Sequence, residues 1–167
     1  FCALRETGLL YVGGDDATDF LQNQLSNDIL NINESRGQFS SISSAKGRMY
    51  GIFRVIQIDG GYLLVMPKSI ISDIQQRLQK FIIMSKVVLA DISDSFCGIT
   101  VTTDNDQLIQ QLHIDKKPEL SNIHQVSQTE SQINLQLHST DGQFRYLILN
   151  NDSTQLMELW QQLSRTL

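Results

Sequence analysis

Lys46, Gly47 and Arg48 place two cations around one glycine, directly ahead of Met49, Tyr50 and an alternating apolar run, in SSAKGRMYGIFRV at residues 43–55. Two cations at one corner can hold a carboxylate or a phosphate, and a planar guanidinium can do so through two parallel hydrogen bonds. The same residues also suit a plain turn between strands, in which glycine supplies the backbone conformation and the charges stay in water. Residue type and spacing leave both readings open.

Other chemistry is sparse. His113, His124 and His138 fall in a predicted helix end, a loop and a strand, with no pair at the spacing of metal ligands. No strained GxSxG elbow is present, and Lys46 follows Ser-Ser-Ala rather than the glycine framework of a phosphate loop. Gly13-Gly14 stands between a predicted strand and a predicted helix, where a helix N-terminus can bind an anion. Asp15 and Asp16 come next and would repel one, so this segment reads as a tight turn with an aspartate cap.

Composition narrows the function classes. The 167 residues are 41% hydrophobic and 19% charged, enough apolar content for a packed core. A formal net charge of −5 argues against nucleic-acid binding by bulk attraction, so no direct nucleic-acid partner is expected. The longest apolar runs, YLLVM and FIIM, are far short of the roughly 20 residues that cross a bilayer, and no membrane partner is expected. Cys2 and Cys97 fit no CxxC or metal spacing, and few thiols without a leader segment predict a cytoplasmic protein.

The elements that must position the basic corner follow from periodicity. GLLYVGG reads as a strand and DDATDFLQNQL as a helix with Phe20, Leu21 and Leu25 on its apolar side. SNDILNINESRG reads as a turn with a short extended piece. QFSSIS and RMYGIFRVIQI flank the corner, and Asp59-Gly60-Gly61 turns the chain back into YLLVMP. Ser69 is expected to cap a helix with Ile70, Ile71, Ile74, Leu78 and Phe81 on one face, and MSKVVLADI closes the round as a strand. A second round follows: CGITVTT, a helix in DNDQLIQQLH, a polar surface loop over residues 116–132, a hairpin turning at Asp141-Gly142, and a last helix carrying Leu156, Leu159, Trp160 and Leu163. Hairpins interleaved with helices predict an α+β fold, two ferredoxin-like units of antiparallel sheet covered by helices, divided as residues 1–92 and 93–167.

Four segments, in this order, carry a resemblance: GDDATDFLQNQLSNDI, SAKGRMYGIFRV, YLLVMP and LQKFIIMSKVVLAD. Together they resemble the N-terminal half of the YgfZ family of folate-binding, tRNA-modifying proteins, which is related to the glycine-cleavage T-protein aminomethyltransferases. The match is strongest over residues 9–91, and the remainder agrees in pattern. The resemblance implies a folate-binding, aminomethyltransferase-like domain, with tetrahydrofolate or a derivative as its ligand and iron-sulfur proteins or tRNA-modifying enzymes as its partners. On that basis Lys46 and Arg48 are expected to hold the anionic glutamate tail, Tyr50 and Met49 to line the apolar part, and Asn27 and Asp28 to meet the pterin.

Two departures from the family pattern matter. Its Lys-Gly-Cys-Tyr-x-Gly-Gln-Glu motif does not occur, and the chain starts at Phe rather than Met, so the expectation is either a fragment lacking a C-terminal domain or a short form. Where the T-protein carries its catalytic aspartate, this chain has Tyr50 and Gly51, neither of which can act as that carboxylate. The expected function is therefore non-catalytic: folate binding that assists iron-sulfur protein maturation and so tRNA modification. A folate-dependent one-carbon transferase and a ligand-free protein-interaction domain are the alternatives.

Overall fold

The computed structural model describes residues 1–112, 114, 124–138 and 143–166. The chain divides into two compact units, Glu6–Ser93 and Phe1–Arg5 together with Asp94–Leu167. Strand β1 (Cys2–Ala3) thus belongs with the second half of the sequence.

The first unit runs β2 (Thr7–Gly13), α1 (Ala17–Gln24), β3 (Gln38–Ser43), β4 (Met49–Ile58), β5 (Gly61–Pro67), α2 (Ile71–Gln79) and β6 (Val88–Asp91). Its five strands are ordered β3-β4-β5-β2-β6, and every neighbouring pair is antiparallel. Strands β2, β4, β5 and β6 with the two helices make a ferredoxin-like arrangement, and β3 is added at the edge beside β4. Residues of like parity point to one face of a strand, so Leu10, Val12, Phe53, Val55, Tyr62 and Leu64 all face the helices. There they pack with Phe20, Leu21, Ile71, Ile74 and Leu78 into a buried core.

The loops of this unit are pinned by specific bonds. Gly14 has φ +107°, and a Cβ there would collide with the Lys86 carbonyl, so only glycine fits. Asp15 and Asp16 do not cap α1 with their side chains, as the sequence suggested. Instead Asp16 Oδ2 accepts from Lys86 N at 2.7 Å, and Asp15 Oδ2 pairs with Lys86 Nζ at 3.1 Å. Ser69 does not cap α2 either, because it lies inside a short 3-10 turn, Lys68–Ile70, that leads into the helix. Phe81, expected on the buried stripe, is exposed past the end of α2, as are Ile83 and Met84, while Ile82 and Val87 on either side pack against the core.

The second unit repeats the connectivity: β7 (Cys97–Thr103), α3 (Asp106–Gln111), β8 (Val126–Gln128), β9 (Gln132–Leu137), β10 (Phe144–Asn150) and α4 (Ser153–Thr166). Its sheet order is β1-β7-β10-β9-β8, again with antiparallel neighbours. The edge place that β6 takes beside β2 is taken here by β1 beside β7, so the fold closes with residues from the start of the chain. Asn105 caps α3, accepting from Gln107 N at 2.9 Å, and Asp152 Oδ1 accepts from Thr154 N at 2.8 Å. Within the stretch expected to be a surface loop, Val126–Gln128 is a strand. The Asp141-Gly142 turn and His113 lie outside the described residues. Ile99, Val101, Tyr146, Ile148, Leu156 and Leu163 form this unit's core, and Trp160 meets Phe1 edge to face at 4.4 Å between ring centroids.

Candidate functional site

The basic corner is the hairpin loop between β3 and β4. Gly47 takes φ +77° with open space where a side chain would go, and the loop is closed by Gly47 N to Ser44 O at 2.9 Å and Ser44 N to Arg48 O at 2.8 Å. Ser44 Oγ also accepts from Arg48 N at 3.0 Å. Lys46 and Arg48 are exposed, and neither pairs with a carboxylate among the described residues.

Beyond the loop the register slips. Ile42 pairs with Gly51, but Ser43 pairs with Met49, so Tyr50 is an extra residue in β4. Such a bulge re-aims the inserted side chain. Gly51 already faces α2, where an added Cβ would lie 3.1 Å from Ile70 Cδ1 and 3.2 Å from Ile74 Cδ1. Regular alternation would turn Tyr50 away. The bulge brings it to the helix side instead, half-buried against the core, with the Arg77 guanidinium 3.2 Å from the centre of its ring. Met49 remains exposed at the start of β4.

Tyr50, Asp73, Ile74, Gln76, Arg77 and Lys80 line one cleft of about 210 Å³, which does not include Lys46, Arg48 or Met49. Asp73, Arg77 and Lys80 were not singled out from the sequence. Their signal was a polar stripe, spaced four and three residues apart, beside the apolar face of an amphipathic helix.

Asn27 and Asp28 stand at the outer edge of β3 and bond to backbone. Asn27 Nδ2 donates to Phe39 O at 2.8 Å, and Asp28 Oδ1 accepts from Leu30 N at 3.0 Å, capping the 3-10 turn Ile29–Asn31. Ser26 completes the edge, with Ser26 N donating to Ser41 O at 3.0 Å and Ser26 Oγ accepting from Ser41 N at 3.0 Å. The segment thereby satisfies backbone groups that an open sheet edge would leave bare.

No protein-family model matches the chain. Curated relatives named "tRNA-modifying protein YgfZ" do match. The one from Vibrio atlanticus is 31% identical over 99 residues, covering 59% of this chain and 30% of the relative. That from Colwellia psychrerythraea is 27% identical over 152 residues, covering 90% of this chain and 45% of the relative. The chain thus spans less than half the length of the curated relatives it matches. Among solved structures, the glycine cleavage system aminomethyltransferase T from Bartonella henselae superposes with a TM-score of 0.74 at 12% identity, over 94% of this chain and 44% of that one. In sequence the chain is related to part of the YgfZ-type tRNA-modifying proteins, and its two α+β units carry the fold of the aminomethyltransferase T-protein.

Proposed function

We propose that this chain is a non-catalytic, folate-binding portion of a YgfZ-type protein that assists iron-sulfur protein maturation and thereby tRNA modification. The observation that carries the reading is the match to relatives named as tRNA-modifying, one of them across 90% of the chain, joined to the ordered motifs around the basic corner. Tetrahydrofolate or a derivative is the ligand. Lys46 and Arg48, exposed and without carboxylate partners among the described residues, hold its anionic tail, and Met49 and Tyr50 offer apolar surface beside them. Asn27 and Asp28 supply their remaining hydrogen-bonding capacity to the pterin. The partners are iron-sulfur proteins or the tRNA-modifying enzymes that contain them.

The transferase alternative lacks its principal residue. Gly51 carries no side chain, and the space beside it is occupied by the ends of Ile70 and Ile74, an apolar setting that disfavours a carboxylate.

Isothermal titration of tetrahydrofolate into the full-length protein tests the reading, and saturable heat is expected. Absence of binding overturns the folate assignment, and unchanged affinity in the Lys46→Ala, Arg48→Ala double variant overturns the residues. Levels of nucleosides modified by iron-sulfur enzymes, measured in cells lacking the protein and in complemented cells, test the tRNA role.

A further inference from the structure

We infer that the cleft between Tyr50 and the last turn of α2 is a binding site for a terminal oxyanion, a phosphate or carboxylate group on a small molecule, held by Arg77 and Lys80. This site excludes Lys46 and Arg48 of the hairpin loop, shares only Tyr50 with the folate reading, and does not depend on that reading.

The argument begins with the state of Arg77. It is half-buried, yet among the described residues its guanidinium has no carboxylate within ion-pair distance and one side-chain partner, the face of Tyr50. Guanidinium is planar and weakly hydrated, so an aromatic face orients it without consuming the N–H donors at its edge. Five donors in a fixed fork, already oriented, are what a phosphate or carboxylate requires for a bidentate bond. Lys80 lies on the same cleft, one turn further on, and adds a mobile charge. The bulge that turns Tyr50 towards α2 is itself a departure from regular pairing, and it creates this stack.

Size and charge limit the ligand. A cleft of about 210 Å³ admits one oxyanion and a few attached atoms. Asp73, also in the lining, places a negative charge one turn before Arg77 and disfavours a row of phosphates such as an RNA backbone. The net charge of −5 acts in the same direction. A competing role for Arg77 and Lys80 is to complement the negative end of the α2 dipole, which would need no ligand.

The test is an NMR titration of the full chain with inorganic phosphate and, separately, glutarate, at ionic strength held constant with chloride. It follows the Arg77 side-chain N–H and the Tyr50 ring. Saturable shifts at both, with a dissociation constant on the order of millimolar, are expected for a single oxyanion. Arg77→Gln should weaken binding at least about tenfold, and Arg77→Lys, which keeps the charge without the fork, several-fold. The Lys46→Ala, Arg48→Ala double variant should bind phosphate as the parent does, which separates this site from the folate reading. Equal shifts with chloride alone, or unchanged affinity in Arg77→Gln, overturn the proposal. A short RNA that binds more tightly than phosphate, with a steep salt dependence lost in Arg77→Gln, also overturns it in favour of a nucleic-acid contact.

Discussion

Strand β4 turns Phe53 and Val55 towards its helices, whereas β9, at the equivalent place in the second unit, turns Gln132, Asn134 and Gln136 inward. The same connectivity is therefore filled in two ways. The apolar strand needs only shape and burial. The polar strand needs partners: Asn134 Nδ2 donates to Leu112 O at 2.9 Å and to Ser127 Oγ at 3.2 Å, and Gln132 Nε2 donates to Leu112 O at 3.1 Å and Asn134 Oδ1 at 2.9 Å. Asn150 Nδ2 adds a bond to Gln132 Oε1 at 3.3 Å. These side chains close the end of α3, whose last carbonyls have no partner within the helix.

The clefts beside these strands differ in the same spirit. Tyr50, Asp73, Gln76, Arg77 and Lys80 in the first unit stand at one constant sequence separation from Gln132, Gln155, Glu158, Leu159 and Gln162, which line a cleft of about 450 Å³ in the second. Where the first has a stacked cation and a lysine, the second has leucine and glutamine. Topology therefore makes the concavity, and side-chain identity decides what it can hold. An oxyanion suits only the cationic cleft.

The largest effect that would separate the two strands is expected from Phe53→Ala, which empties a fully buried site and should cost about 3–5 kcal/mol in a urea unfolding experiment. A loss below about 1 kcal/mol would mean that this core can collapse around the gap. Gly51→Asp, which introduces a carboxylate beside Tyr50, should cost about 2 kcal/mol, because the new group meets the Ile70 and Ile74 side chains. A stable variant with folate-dependent aminomethyl transfer would revive the enzymatic reading. Asn134→Ala should cost about 1–2 kcal/mol, less than Phe53→Ala, since Gln132 still donates to Leu112 O.

The smallest expected effect is a gain. Tyr146 is buried in the second core, and its hydroxyl has no hydrogen-bond partner among the described residues. Tyr146→Phe should be neutral or stabilising by up to about 1 kcal/mol. Burial also pushes the Tyr146 phenol well above its ordinary value. A raised value means that the fold favours the protonated form, so this group leaves stability untouched up to the usual tyrosine range near pH 10 and withdraws it as pH rises beyond. The stability difference between parent and Tyr146→Phe should stay constant up to about pH 10 and widen above it, with the parent becoming the less stable. A Tyr146→Phe variant less stable than the parent at neutral pH would indicate a hydrogen bond to the phenol that the phenylalanine cannot make.

Much of the fold was legible along the chain because its signals are local. The two-residue turn at Asp59-Gly60, the stripe of Ile71, Ile74 and Leu78, and the caps at Asn105 and Asp152 each depend on residues a few positions apart. The expected caps at Asp15, Asp16 and Ser69 failed for a non-local reason. Lys86, distant in sequence, offers the two aspartates an N–H and an ammonium, and the 3-10 turn after Pro67 puts Ile70 rather than Ser69 at the capping position of α2. The burial of the polar residues of β9 is non-local in the same way, since the carbonyl that Asn134 and Gln132 bind belongs to a different element.

The candidate site divides along this line too. Sequence by itself determined the basic hairpin loop, the two rounds of α+β elements and the absence of a carboxylate at Tyr50 and Gly51, because composition and short-range periodicity fix them. Only the tertiary structure decided that β1 completes the second sheet, that Asn27 and Asp28 serve the β3 edge, and that Tyr50 turns to meet Arg77. A strand's register is set by its pairing partner, and one inserted residue sends a side chain to the other face.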